Sequence, residues 1–235
     1  MSKVSFAEMV SRVGQDMNLD LNNPYQSNTN VVLSTVKRYL NEAQSELQKE
    51  LLKTREDYFL TSHVLPITAQ QLNNFRLPDN IYVNKIRKVA YNYQQVKQVL
   101  RKVSFDDYVR LSSPTFHSTA VYPSGYFIRE VSEDSPDPDN PTLDPEGTTR
   151  GLTTSTVISF VPVSSIRETG TNTFEVFYLR QIRDLINDGD YADIPESESY
   201  LVAYAKWQTA LTDPTRNEDL YFRDYQSKLL SLIHI

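Results

Sequence analysis

Cysteine is absent from the chain. Disulfides and thiolate metal sites are therefore excluded, which fits an intracellular origin. Glycine is scarce, with 6 in 235 residues. A phosphate cradle needs several glycines close together, so a nucleotide loop is not expected. Neither GxSxG nor GxxxxGK occurs. The three histidines, His63, His117 and His234, are far apart and form no HxxxH or HExxH pair, so no zinc site is expected. No apolar run approaches the roughly 20 residues of a membrane span. The segment MSKVSFAEMVSRVGQDM has no uninterrupted apolar stretch, so no signal peptide is expected. A basic excess is also missing. The net charge is -6, whereas a protein that grips phosphates is usually basic. The expectation is a soluble protein, made and used in a cytosol, without tight DNA binding.

What is present fits a globular chain. Hydrophobic residues make up 39% and charged residues 23%. Phe6, Met9, Val10 and Val13 recur at helical spacing over 5–16, with Ser5 and Glu8 placed as a capping box. A polar stretch, NLDLNNPYQSNTN, reads as a loop. The strongest element follows, near 29–57. Leu33, Val36, Leu40, Ala43, Leu47 and Leu51 form one apolar stripe, with no Pro or Gly inside and Asn28 or Thr29 as cap. Such a helix would span roughly 42 Å and needs a partner along its stripe. Two partners fit: its own core, or a neighbouring subunit.

From Tyr58 the pattern turns to strands. YFLTSHVLPI, YVNKIRKVAYNY, KQVLRKVSF, GYFIREV, TVISFVPV and TFEVFYLRQI are rich in β-branched and aromatic residues and bounded by turn signals. FDDYVRL reads as a short helix between two of them. The acidic, proline-rich segment 132–150 has only Leu143 as a large apolar side chain, so it reads as an inserted loop or a contact arm for a basic surface. Helices return near 196–212, with Pro195 about where a first-turn proline is tolerated, and from about 215 to 233. The expected fold class is α+β: a long-helix bundle of the N- and C-terminal helices with a central antiparallel β region. The expected organisation is one domain overall. It comprises N-terminal helices in 1–57, the β region in 58–183 with its insertion at 132–150, and C-terminal helices in 184–235 packing on 29–57.

Chemistry-bearing clusters are few. Asp188, Asp190 and Asp193 read as a polar turn before a helix; the full calcium-loop pattern is missing. Glu42, Glu46 and Glu50 lie four apart on the long helix and read as a solvated stripe. Lys85, Arg87 and Lys88 open the one basic stretch, which runs to Lys102. It reads as a wet sheet face with Ile86, Val89 and Val99 packing inward, or as a dock for an acidic partner. The chain ends in LLSLIHI, so Leu229, Leu230, Leu232, Ile233 and Ile235 form an apolar tail that either completes the helix packing or inserts into a partner. The 15 tyrosines suit subunit interfaces and β cores alike. No catalytic residue, metal or cofactor is expected, and the chain reads as an assembly protein rather than an enzyme.

The order of these segments resembles the head-to-tail adaptor, or connector, family of short-tailed bacteriophages. The matching pieces are TVKRYLNEAQSELQKEL, RLPDNIYVNKIRKVAYN, SFDDYVRL, VISFVPV before FEVFYLRQIRDL, and DGDYADIPESESYLVAYAKWQTAL. They cover most of 29–230; the acidic insertion has no counterpart among them. The resemblance implies a virion protein at the head-tail junction, made in the bacterial host cytoplasm. It implies a homo-oligomeric ring, usually of twelve subunits, that binds the portal protein and the tail nozzle or tail fibre proteins. DNA would pass through its channel without specific binding, and no membrane is involved. It implies no cofactor. A ring interface is heterologous, so one chain needs two unlike, complementary surfaces. The Glu stripe and the basic strands are the candidates. The alternative reading is a tail or baseplate protein that holds fibres, and a tail hydrolase comes third.

Overall fold

The structure is a computed structural model. It describes residues 3–21, 33–68, 73–93, 96–113, 122–132, 154–162, 166, 172–213 and 215–233. Among the expected features, the caps Asn28 and Thr29, His117, segment 133–150, His234 and Ile235 lie outside the described residues. The chain divides into two compact units. One holds Met1–Tyr58 with Ile182–Ile235, and the other Phe59–Gln181.

The first unit is helical. Helix α1, Phe6–Asp16, starts where the Ser5 hydroxyl accepts the Glu8 N–H at 3.3 Å. Its free N–H groups at Phe6 and Ala7 donate to the carbonyls of Asp190 and Asp188. Helix α2, Leu33–Thr54, is the long one. It has 22 described residues, about 33 Å at 1.5 Å per residue, and it stops at Thr54 before a 3-10 turn, Glu56–Phe59. Helix α4, Glu198–Thr212, begins after the cap position Ser197, so Pro195 precedes the helix rather than sitting in its first turn. Six consecutive residues of α4, Tyr200 to Ala205, are buried. A helix apolar on every side belongs at a centre, and α4 touches α1, α2 and helix α5, Glu218–Ile233. Lys206 on α4 reaches Asp16 of α1 at 3.1 Å and Asp224 of α5 at 3.8 Å.

The second unit is a seven-stranded sheet. Its strands are β1 (Leu60–Pro66), β2 (Phe75–Arg76), β3 (Ile81–Tyr93), β4 (Val96–Lys102), β5 (Gly125–Ser132), β6 (Thr154–Val161) and β7 (Thr173–Arg180), in the order β1-β7-β3-β4-β5-β6-β2. A short helix, α3 (Phe105–Ser112), lies on β5, where Tyr108 stacks on Phe127 at 5.1 Å. The sheet nearly closes on itself. β6 and β7 are separated by three strands in the order, yet Phe160 of β6 stacks on Phe174 of β7 with centroids 3.4 Å apart. Phe75 of β2 meets both rings edge-on, at 5.9 and 5.8 Å. Alternation puts Val89, Tyr91, Leu100, Ile158 and Val176 on the same inner face, and all are buried.

The expected long-helix bundle is therefore corrected. The protein is mixed α+β, with five α-helices among the described residues, and strands dominate the core. The long helix buries one stripe, and α5 has no fully buried residue. The β region is not wholly antiparallel either, because β4 and β5 pair in parallel at Arg101–Gly125 and Lys102–Tyr126. Gly125 is required at that junction: a Cβ there would lie 2.6 Å from Val103 Cγ1.

Candidate interaction surfaces

On α2, three amide side chains do what periodicity does not announce. Asn41, Gln44 and Gln48 point at the chain segment 182–193 and hold its backbone. Asn41 Oδ1 accepts the Leu185 N–H at 2.7 Å, and its Nδ2 donates to the Leu185 carbonyl at 3.0 Å. Gln44 donates to the Arg183 carbonyl at 3.2 Å and accepts the Asp193 N–H at 3.2 Å. Gln48 accepts the Ile182 N–H at 3.3 Å. Gln44 and Gln48 are buried. The sequence signal is present: three amides at spacings of three and four, flanking the apolar stripe. They read as polar surface because amides usually are.

The three glutamates of α2 stay at the surface. Glu42 pairs with Arg38 at 3.4 Å, Glu46 with Lys49 at 2.6 Å and Glu50 with Lys53 at 2.6 Å. Exposed pairs within one helix contribute only about 0.3–0.5 kcal/mol. They do balance charge, so the stripe is not a bare negative rail.

The aspartates before α4 are used by the chain itself. Asp190 Oδ2 accepts the N–H groups of Ile186 and Asn187, both at 2.8 Å, Asp193 Oδ2 accepts that of Arg183 at 3.2 Å, and Asp188 pairs with Lys37 at 2.9 Å.

Lys85, Arg87 and Lys88 lie exposed on β3, where the strand leaves its ladder. Ile81 pairs with Arg180 and Ile86 with Tyr178, so four residues of β3 oppose the single Leu179. Val83 and Asn84 carry positive φ, 46° and 53°. That conformation is unusual for a β-branched residue, and it turns Val83 outward, 72% exposed. Asn84 Nδ2 reaches Glu130 of β5 at 3.5 Å. A second bulge between Ile86 and Lys88 resets the alternation, so Lys88 pairs with Phe177 on the outer face. Sequence alternation did not show this bulge; Val-Asn-Lys interrupts it only locally.

On the same outer face Lys97 Nζ bonds Glu175 at 2.5 Å and lies over the Phe177 ring. The Lys97 ammonium holds the Glu175 carboxyl below its ordinary range. Asp213 is also lowered, by the Thr215 hydroxyl and the Arg216 guanidinium. A carboxylate with a depressed folded pKa stabilises the fold above its unfolded value, about 4.3 for Glu, and that contribution is lost as pH falls through the depressed value. Thermal melts from neutral pH downward should therefore show a fall in Tm beginning near pH 4 to 5. Glu175→Gln should flatten it; an unchanged acid slope would refute the assignment.

At the other end of the chain, Leu232 and Ile233 are half-buried. They line an apolar pocket of about 160 Å³ with Leu47, Leu51, Tyr58 and Ile194. Leu229 is half-buried, Leu230 is exposed, and Ile235 lies outside the described residues.

Charge is divided between the two units. The helical unit has 12 Lys and Arg against 18 Asp and Glu. Outside 133–150, the sheet unit has 11 Lys and Arg against 6 Asp and Glu. One chain thus carries a unit of net -6 and a sheet of net +5, before its acidic insertion is added.

No curated protein matches the chain. The model of one protein family, described as SU10 adaptor protein, matches residues 4–234.

Proposed function

The chain belongs to the SU10 adaptor protein family, and from that premise we propose that copies of it form a ring joining the capsid portal of a phage to its tail. The family is one of structural phage adaptors, components of the virion, and that role calls for no catalysis. In this reading the ring holds twelve copies, meets the portal on one side and tail nozzle or fibre proteins on the other, and lines part of the channel through which the genome leaves. It sits at the head-tail junction of the virion.

The observation that carries the reading is family membership over residues 4–234. Two features support it. A closed ring needs unlike surfaces on one subunit, and charge is divided unequally between the two units. Helix α5 also carries Leu220, Tyr221, Phe222, Tyr225, Leu229, Leu230, Leu232 and Ile233 without burying any of them fully. Such a helix gains by further cover.

The test is to mix the full chain with its portal and image the product by negative stain. Rings with a central hole, bound to portal, are expected. Binding to fibre protein without portal would favour the fibre-holder reading and overturn this one. Removing residues 230–235 is expected to abolish portal binding while circular dichroism stays that of the folded chain, which gives the apolar tail its place on the portal. Retained portal binding would refute that placement.

A further inference from the structure

We propose that the outer face of β3 and β4 is a docking surface for the acidic helical unit of a second copy of this chain, an inference that rests on the ring reading above.

The surface is built as follows. Lys88 and Arg101 lie on neighbouring strands, one step beyond the pair Val89–Leu100, and both are exposed. Lys85 lies further along β3 and is exposed too. Among the described residues none of these three cations has an ion-pair partner. Lys97 differs, because Glu175 already holds it. Apolar side chains lie among the charges. Val99 faces out from β4 with 53% exposure. Val64 of β1 pairs with Glu175, which pairs with Ala90, which pairs with Val99, so one outward row crosses four strands. Val64 is 51% exposed. Val99 thus stands half-bare beside Arg101, with Lys88 on the next strand, whereas Val64 is set apart from it by Glu175 and the buried Ala90.

The occupant follows from charge and composition. Phosphate backbones are gripped by charge and hydrogen bonds, and exposed valines add little there. A protein face with carboxylates and apolar groups fits both features. This chain carries one. Its helical unit has six more acidic than basic residues. Glu218 and Asp219 in the first turn of α5 are exposed, and among the described residues neither has an ion-pair partner. Leu220 beside them is 62% exposed. A basic, partly apolar face and an acidic, partly apolar face on one chain make a heterologous contact that repeats from copy to copy. Glu42, Glu46 and Glu50 are weaker candidates for the acidic side, because each is balanced by a cation on its own helix.

The experiment uses the full chain, prepared as an equal mixture of ordinary and heavy-nitrogen-labelled protein and assembled on portal. A carbodiimide couples lysine to a carboxylate only where the two touch. Cross-linked peptides of mixed isotope are expected to join Lys85 or Lys88 to carboxylates within 1–58 or 182–235. A Lys88→Glu, Arg101→Glu variant with unchanged melting is expected to need at least about tenfold more protein to assemble at physiological salt. If mixed-isotope links form but never from these lysines, or if these lysines couple to segment 133–150 or to another virion protein instead, this inference is overturned and the ring reading stands. If no mixed-isotope link forms anywhere, the copies do not touch, and the ring reading falls with it.

Discussion

Replacing Phe174 with alanine is expected to destabilise the fold by about 3–5 kcal/mol, the usual range for emptying a buried phenylalanine site. Phe174 is fully buried. Its ring meets Phe160 at 3.4 Å, Tyr91 at 5.1 Å and Phe75 at 5.8 Å. These partners come from β6, β3 and β2, so one side chain joins strands that lie far apart in the sheet order. Neighbours held by a curled sheet cannot collapse far into the gap, and the upper half of the range is expected. Urea denaturation of the full chain measures it. Phe177→Ala, three residues along on the outer face, is the control and should cost much less. Equal losses at both positions would mean that the inner face is not the core.

The second large effect belongs to Gln44. Gln44→Met keeps the volume and removes both hydrogen bonds. The Arg183 carbonyl and the Asp193 N–H then lose their partner beside a buried side chain. Each orphaned group costs about 1–3 kcal/mol, so a loss of about 2 kcal/mol or more is expected. Ser45→Ala, exposed on the next position, should be close to neutral. Hydrogen exchange gives an independent readout: the Asp193 amide should exchange faster in Gln44→Met than in Ser45→Ala. If both variants melt alike, the amide ladder does not hold segment 182–193.

These two sites mark how far the sequence could be read. The stripe of Leu40, Ala43, Leu47 and Leu51 announces α2, because a helix that buries one side must repeat at three and four residues. Ser5 and Glu8 likewise announce α1. Alternation announces the strands and the inward residue Val89, but it also sets Val99 inward, where the structure turns it out with 53% exposure, and it does not single out Tyr91, which is fully buried. It does not announce sheet order, because which strand lies beside which depends on contacts between distant segments. The stack of Phe160 on Phe174 was therefore invisible, and so was the parallel pairing of β4 with β5. The weight given to the long helix had the same origin. Its pattern is the most regular in the chain, but regularity measures amphipathicity rather than share of the core. Helix α4 offers Leu201, Tyr204, Ala205, Gln208 and Leu211 as one face, yet Tyr200 to Ala205 are buried without a break and Leu211 is exposed. Gln44 reads as surface because most glutamines are surface; only the backbone it meets makes it interior.

A sheet that nearly closes still ends in two borders, and β1 is one of them. Its seven residues pair with β7 alone among the described strands. No lysine, arginine, aspartate or glutamate lies along it, and its proline, Pro66, stands at the far end. Proteins ordinarily guard such a border with charge, a bulge or a cover. Here the purified chain should precipitate by backbone pairing as concentration rises, and added salt should not reverse this because no charge drives it. A lysine at Ser62 or Val64 should extend shelf life in the test tube. For storage and crystallisation, a rim of hydrogen-bonding groups about 23 Å long is expected to govern the colloidal behaviour of the preparation more than the net charge does.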